Sequence, residues 1–334
     1  EEVVRQCVEK GLVSGRLAVT DSTHVKANAS RASEQEVDAL EEAGNYWERL
    51  DAYEEEGLEE LKRQTGKRRA KRTKQVKKDK RRSRKKVSST DPESGYMKRP
   101  GKPSGFYYLS HQTTDPDHGI ITAVTVTPGD VHDSRPYLEQ LEYVHKHVVP
   151  LQAAAADSAY DFPLAHRALE ELGIDFFVVP QPAHDRTKAE LKRDAFTYNE
   201  QRDVYLCPNG KELRRKRLYR SGSGLFWEYW AEKKDCGSCP LRQKCLNETD
   251  KAGARKLQDS YFKTVVQEHF SRRWEPEYRE ALKQRQIWCE GTFAAQKWGH
   301  NLTRLLRRGL EAAEDHCLLS AAALNLKRMI KHSV

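Results

Sequence analysis

The order of elements readable in the sequence predicts an α/β protein, a mixed sheet with helices on both faces and two inserts. Three observations predict it. Short β-branched and aromatic runs recur between residues 15 and 179, the later ones alternating with helical periods. A dense charge block separates the first strand from the second, and a cysteine cluster separates the last strand from two long helices. At 334 residues the chain suits one large domain carrying insertions.

The first strand is Gly15-Arg16-Leu17-Ala18-Val19-Thr20, running into Asp21. Phe106 to Leu109 reads as the second by its aromatics, and Ile120 to Thr127 as the third by β-branching. Between them Asp115-Pro116-Asp117-His118-Gly119 supplies turn chemistry for a hairpin. Asp133 to His147 has helical spacing, with Leu138 and Leu141 on one side and Asp133 or Ser134 as a cap. Leu151 to Ala156 is a short apolar strand ending on Asp157, although its alanines would equally suit a helix. A helix over 163–172 leads to the strand 174–179, closed by Pro180. After an irregular stretch, helices are predicted over about 276–298 and over 311–331, the latter marked by Leu318, Leu319, Ala322, Leu326 and Ile330. This succession suits a ribonuclease-H-like sheet. The expected division is a core over 1–30, 101–180 and 271–334, a charged helical-hairpin insert and linker over 31–100, and a cysteine-rich insert over 181–270.

Charge is distributed unevenly. Residues 62–86 hold 16 Lys or Arg and one acid, Asp79, so the chain's +9 resides in this block and the remainder is net acidic. Residues 34–60 hold 12 acids and one base, Arg49. An acidic run followed by a basic one reads as two helices that fold back and offset each other. A basic arm tracking nucleic-acid phosphates, or disorder, is the alternative. No stretch approaches the roughly 20 apolar residues of a membrane span and no signal peptide opens the chain, which excludes membrane and secretory readings. The start at Glu1-Glu2-Val3 without an initiator Met reads as a piece of a longer protein.

The carboxylates carry the chemistry. Asp21 ends the first strand and Asp157 the fourth, and in a ribonuclease-H-like sheet those strands are neighbours. Two adjacent carboxylates repel unless cations lie between them, and Mg²⁺ or Mn²⁺ suits carboxylate, water and phosphate oxygens. Glu290, mid-helix between Trp288 and Phe293 with Lys297 two turns on, is placed to be the third. A pair of such metals activates an attacking oxygen and stabilises a leaving one. Taken alone, each acid reads as a cap or a surface residue.

Four motifs then resemble one family. T-D-S-T-H-V-K-A-N-A-S at 20–30, V-T-P-G-D-V-H-D-S at 126–134, A-D-S-A-Y-D at 156–161 and C-E-G-T-F-A-A-Q-K-W-G-H-N-L-T-R-L-L-R-R-G-L at 289–310 are similar, in order, to the aspartate, strand-end, second-aspartate and glutamate-helix motifs of DDE transposases of bacterial insertion sequences. The resemblance implies Asp21, Asp157 and Glu290 as a metal-binding triad, with cleavage at transposon ends followed by strand transfer. Many relatives carry Y-x-x-R-x-x-x-E-x-x-x-x-x-x-K here. Glu290 and Lys297 fit that signature, while Lys283 and Gln286 fill the Tyr and Arg places and Arg285 is offset by one residue. His132 and Asp133 are candidates for a supporting role around the metal. The family also implies DNA as partner, a homodimer or larger synaptic assembly, and the nucleoid of a bacterial cytoplasm. Relatives place a DNA-binding region ahead of the first aspartate, where this chain has about 20 residues. A metal-dependent nuclease on the same fold, or a degenerate relative acting as a zinc-dependent DNA-binding protein, are the rival readings.

Cys236, Cys239 and Cys245 crowd into C-G-S-C-P-L-R-Q-K-C, and Cys207 offers a fourth thiolate across a hairpin expected from Arg214–Tyr219 and Phe226–Ala231. Without an export signal such crowding favours metal over disulfide. Four thiolates suit a structural Zn²⁺ ribbon, with an iron–sulfur cluster or free thiols as the alternatives. Cys7, Cys289 and Cys317 read as buried core residues. Lys26, Lys297, Arg304, Arg307 and Arg308 cluster around the acidic motifs in sequence and are candidate phosphate contacts.

Overall fold

The computed structural model describes residues 1–39, 46–65, 83–99, 103–181, 189–221, 224–246 and 253–332. In chain order the elements begin with α1 (Glu2–Glu9), β1 (Ala18–Lys26), β2 (Glu34–Ala39), α2 (Tyr46–Thr65), β3 (Ser83–Ser88) and β4 (Gly95–Met97). Next come β5 (Gly105–Asp115), β6 (Ile120–Pro128), α3 (Tyr137–His147), β7 (Ala153–Ala156), α4 (Pro163–Glu171) and β8 (Asp175–Val178). Five strands and two short helices follow: β9 (Thr197–Asn199), β10 (Val204–Leu206), β11 (Glu212–Ser221), β12 (Gly224–Ala231), α5 (Lys233–Gly237), α6 (Arg242–Cys245) and β13 (Lys256–Ser260). α7 (Lys263–Ser271), α8 (Pro276–Gly299) and α9 (Leu310–His332) close the chain. Two compact units result: Glu1–Gly44 with Lys80–Gln181 and Val265–Val334, and Asn45–Asp79 with Pro182–Thr264. No helix among the described residues is long and apolar enough to cross a membrane.

In the first unit the sheet runs β4-β5-β1-β7-β8, with β6 also paired to β5. β1 is antiparallel to β5 over its whole length, from Val19 opposite Thr114 to Lys26 opposite Tyr107. Against β7 it is parallel and paired only at Ala18 and Val19. The alanines of β7, open to either reading in sequence, form a strand because their small side chains let α8 approach the sheet. Val19, Ala153, Ala155 and Phe177 bury against Tyr278, Ala281, Cys289 and Phe293 of that helix. Each large side chain so buried contributes roughly 1.5–3 kcal/mol. Two polar side chains close the sheet edges: Tyr278 Oη donates to Val178 O (2.6 Å) and accepts from its N–H (3.1 Å), while Asn325 pairs with both backbone groups of Ile121 (2.8 and 2.9 Å). At the β5–β6 turn Gly119 is in the left-handed region (φ +73°), and a Cβ there would fall 2.2 Å from the Trp288 ring, so both conformation and packing require glycine.

Two expectations need correction. The acidic run does not open as a helix. Glu34–Ala39 is a strand antiparallel to Ser83–Ser88, so the described ends of the acidic and basic runs meet as strands. Opposite charges face each other across this ladder, Lys86 on Glu34 and Arg84 on Glu36, which is the sheet form of the same compensation. From Tyr46 on, the acidic run does give a helix, α2, and residues 40–45 and the basic residues between 66 and 82 lie outside the described residues. In α9 the large residues that mark its period, Leu318, Leu319, Leu326 and Ile330, are exposed, while Ala312, Ala313, Cys317, Ala321 and Leu324 are buried. The smaller side chains face inward because they allow the helix to lie close.

The second unit is a five-stranded antiparallel sheet, β13-β12-β11-β10-β9. The expected hairpin is present as β11 and β12, longer than its sequence signal and carrying a register shift between Arg215 and Arg217. Charges knit this unit together. Arg215 contacts Glu60 (2.7 Å) and Asp203 (2.6 Å), and Arg220 contacts Asp51 (2.5 Å) and Glu54 (3.2 Å).

Candidate active site and cysteine cluster

Asp21 follows the buried run Ala18-Val19-Thr20 but does not end the strand as expected, since pairing with β5 carries β1 on to Lys26; Asp157 is the first residue after β7. Because those strands are parallel neighbours, both carboxylates reach the same sheet edge, where β1 continues and β7 stops. Arg285 joins them, its Nη2 standing 2.6 Å from Asp21 Oδ2 and 3.4 Å from Asp157 Oδ2. The helical repeat explains the aim: Arg285 lies one turn from Ala281 and one from Cys289, both buried against the strands. Burial pushes the Asp21 carboxyl up to about 6 against the pull of Arg285 and the Ser22 N–H, and the charges of Asp157 and Asp133 add to the rise. Two acids and one cation thus share a half-buried edge. Asp157 also accepts from the Ala159 N–H (2.8 Å), which fixes the turn that follows it.

Asp133 stands close by, accepting from Ser22 Oγ at 2.8 Å. His111, opposite Ser22 in the ladder, is buried and pushed down to about 4 by that burial, with Asp133 opposing. Its Nε2 lies 2.9 Å from Thr127 Oγ1. His132 instead turns back locally, its Nδ1 2.8 Å from Ser134 Oγ.

The other sequence candidates divide. Glu290 is exposed on α8 beside buried Cys289, and among the described residues no hydrogen bond or ion pair joins it to either aspartate. Lys297 is half-buried seven residues further along the same helix. Lys26 and Arg304 are brought together by a parallel bridge, with the Lys26 N–H donating to Thr303 O (3.0 Å) and the Leu305 N–H to Lys26 O (2.8 Å). They line a cleft of about 490 Å³ with Arg308, Arg31, Asn28 and Tyr107. Arg307 points elsewhere, to Asp315 at 3.2 Å. Arg31 and Tyr107 escape a sequence reading because only the fold brings the turn after β1 and the strand β5 to the same cleft. Arg285 gives a sequence signal only through its spacing from Ala281 and Cys289.

In the second unit Cys207, Cys236, Cys239 and Cys245 line one cavity of about 30 Å³, with Arg242 and Arg255 at its wall. The turn Cys207-Pro208-Asn209-Gly210-Lys211 is closed by Gly210 N to Cys207 O (2.8 Å) and Cys207 N to Lys211 O (2.9 Å). It directs the Lys211 N–H at Cys207 Sγ (3.3 Å), and Asn209 Nδ2 lies 3.6 Å from Cys239 Sγ. All four thiols are free of disulfides. Burial raises the Cys245 thiol, with Arg255 opposing and the other three cysteines adding to the rise. Among the described residues, no three metal-ligating side chains, at the cysteines or at the aspartates, stand close enough to form a closed ligand cage.

No curated protein matches the chain. A family model described as a transposase DDE domain matches residues 206–330, a stretch that holds all four clustered cysteines, α8 with Glu290, and most of α9. Over those residues the chain is similar to the transposase DDE domain, and its resemblance to DDE transposases, carried first by four short motifs, is shown.

Proposed function

We propose that this chain is the catalytic part of a DNA transposase, cutting phosphodiesters at element ends and joining the freed 3′-hydroxyl to target DNA through Asp21, Asp157 and Glu290. The observation that carries the reading is the meeting of Asp21 and Asp157 at one open sheet edge with a single cation, Arg285, between them. The residues suit a divalent metal: both are hard oxygen donors, and they already share a positive charge. Mg²⁺ or Mn²⁺ bound there supplies Lewis acidity and an activated oxygen nucleophile. Asp21 and Asp157 would hold it, with Glu290 as the third carboxylate. Lys26, Arg304 and Arg308, lining one cleft, bind backbone phosphates, joined by Lys297 and Arg307. The element order and the β5-β1-β7-β8 succession support a ribonuclease-H-like core.

At the cysteines the reading is a structural Zn²⁺ that Cys207, Cys236, Cys239 and Cys245 would hold as a closed four-thiolate shell; the N–H groups aimed at two of the sulfurs suit thiolate ligands of zinc or of an iron–sulfur cluster alike. The partners in this reading are DNA and further copies of the chain, since two element ends are processed together in a bacterial nucleoid.

The test is nicking of supercoiled plasmid in Mn²⁺, together with joining of a pre-nicked DNA end. Asp21→Asn, Asp157→Asn and Glu290→Gln are each expected to lower nicking by about a hundredfold or more. Undiminished nicking by all three overturns the reading. Nicking without joining favours the nuclease instead.

A further inference from the structure

Beside the two aspartates stands an acid that the chemistry above does not use. Asp133 lies between β6 and α3, its side chain only 14% exposed. It does not cap α3, whose N-cap is Pro136 with no side-chain cap bond. Its Oδ1 takes the Ser22 hydroxyl at 2.8 Å, while Arg99 Nη2 stays 3.6 Å from Oδ2, long for a charge-assisted bond.

Three polar atoms on the elements next to these acids are buried with no hydrogen-bond partner among the described residues: Tyr137 Oη, Tyr160 Oη and His111 Nδ1. Each of these residues is 1% exposed. The two tyrosine rings pack on each other at 4.7 Å. The charges of Asp21, Asp133 and Asp157 all act on Tyr160, that of Asp157 on Tyr137, and that of Asp133 on His111. Geometry links the acids through Ser22, whose hydroxyl donates to Asp133 while its N–H donates to Asp21 Oδ1 at 2.8 Å. Leaving a buried polar group unmade costs about 1–3 kcal/mol, and native interiors supply such groups with ordered water. A hydrated divalent cation brings such water, because Mg²⁺ gives up its shell reluctantly.

We propose that Asp133 is a positioning carboxylate of the cation site: with the hydroxyls of Tyr137 and Tyr160 it holds the water shell of a divalent cation bound by Asp21 and Asp157. This rests on the reading of those two aspartates as cation ligands. A carboxylate that accepts from a metal-bound water orients it and raises its basicity, without touching the metal.

Mn²⁺ affinity of the full chain, measured by titration calorimetry and by electron paramagnetic resonance, tests the inference without any DNA. Asp133→Asn is expected to weaken Mn²⁺ binding by about 10–100-fold, with Asp133→Glu recovering part of the loss. Ser22→Ala, which removes the hydroxyl but keeps the charge, should stay within about threefold of the unaltered chain. Mn²⁺ binding by Asp133→Asn within about threefold of normal, while Asp21→Asn abolishes it, overturns the inference and leaves the aspartate reading standing. So does a loss in Ser22→Ala equal to that in Asp133→Asn, since Asp133 is then a clamp for β1. If the unaltered chain takes up no Mn²⁺, the reading and the inference fall together. Should Asp133→Asn not fold, Tyr160→Phe carries the test: a severalfold weaker affinity supports the water shell, and unchanged affinity overturns it.

Discussion

In the first unit the buried carboxylate of Asp21 meets one guanidinium; in the second, Arg215 and Arg220 each meet two acids. The first unit has an apolar sheet core, built from Val19, Ala155, Phe177, Tyr278 and Phe293, and can carry an under-neutralised edge. The second distributes its charges into cross-links, Asp259 for instance holding Arg193 (2.7 Å) and Lys263 (3.0 Å) while accepting from the Tyr205 hydroxyl. An unbalanced cluster of acids is thus tolerated where hydrophobic burial is plentiful. In the second unit ion pairs and, in our proposal, a metal add to that burial.

The largest expected effect follows from that contrast. Cys239→Ser, or removal of metal by a chelator, should abolish cooperative unfolding of the second unit and leave the first close to normal. Structural Zn²⁺ contributes about 10–16 kcal/mol in isolated zinc-finger peptides, far more than the ion pairs of this sheet. Elemental analysis should find one zinc per chain, and hydrogen exchange resolved by segment checks which unit is lost. Full protection of β11 and β12 in the chelated protein would break the comparison.

A smaller loss is expected at the aspartates. Arg285→Met removes the cation that Asp21 and Asp157 share among the described residues and should cost about 2 kcal/mol in denaturant melts, below the usual figure for a buried pair because Asp157 stays partly exposed. The sign with pH is fixed by Asp21. Its proton affinity is raised to about 6, so below that pH the folded protein is protonated there and the cost of losing Arg285 shrinks. Excess Mn²⁺ should restore more stability to this variant than to the unaltered chain. Equal stability of the two proteins above pH 6 would show that the acids need no neutralising partner.

These effects also measure how far the sequence could be read. Asp157 was legible because the alanines of β7 mark the strand end before it; Asp21 was legible from the apolar run Ala18-Val19-Thr20, although β1 runs on through it to Lys26 instead of ending there. Arg285 was half legible: the family register puts Gln286 in the Arg place, and only the packing of Ala281 and Cys289 decides which neighbour faces the strands. The strand at Glu34–Ala39 was not legible, since acidic residues carry no helical period of their own and their partner, Ser83–Ser88, lies far along the chain. The buried face of α9 misled for a related reason. Periodicity selects large apolar residues, while close packing on a sheet selects alanine and cysteine. The cleft around Lys26 and Arg304 depends on a bridge between residues nearly 280 apart, which no local pattern announces.

Within the first unit a pair of packed histidines offers a third test. His269 Nδ1 lies 2.9 Å from His166 Nδ1, and His166 Nε2 lies 3.0 Å from Asp161 Oδ1. Burial, with His166 and Arg272 adding and Glu170 and Asp175 opposing, pushes His269 down from 6.5 to about 4. The folded state therefore refuses a proton that the unfolded chain accepts, so stability is complete above about 6.5 and falls as the pH drops toward 4. Because His269 is partly exposed, about 1–2 kcal/mol is expected across that window. His269→Phe should flatten the slope, and an unchanged slope would assign it to other groups.

The smallest effect lies on the exposed basic turn, and it sharpens the contrast between units. Arg307 pairs with Asp315 at 3.2 Å with both side chains more than half exposed, so Arg307→Ala should change stability by no more than about 0.5 kcal/mol. Truncating Arg220 in the second unit removes a mostly buried cation from two acids at once and should cost about 1–3 kcal/mol. Arg304→Ala should likewise leave the melt unmoved, yet reduce the salt dependence of DNA binding by about one phosphate contact. Filter binding at graded salt checks it. If Arg304→Ala weakens DNA binding by the same factor at every salt concentration, the side chain does not neutralise a phosphate, and the cleft it lines with Lys26 loses its electrostatic assignment.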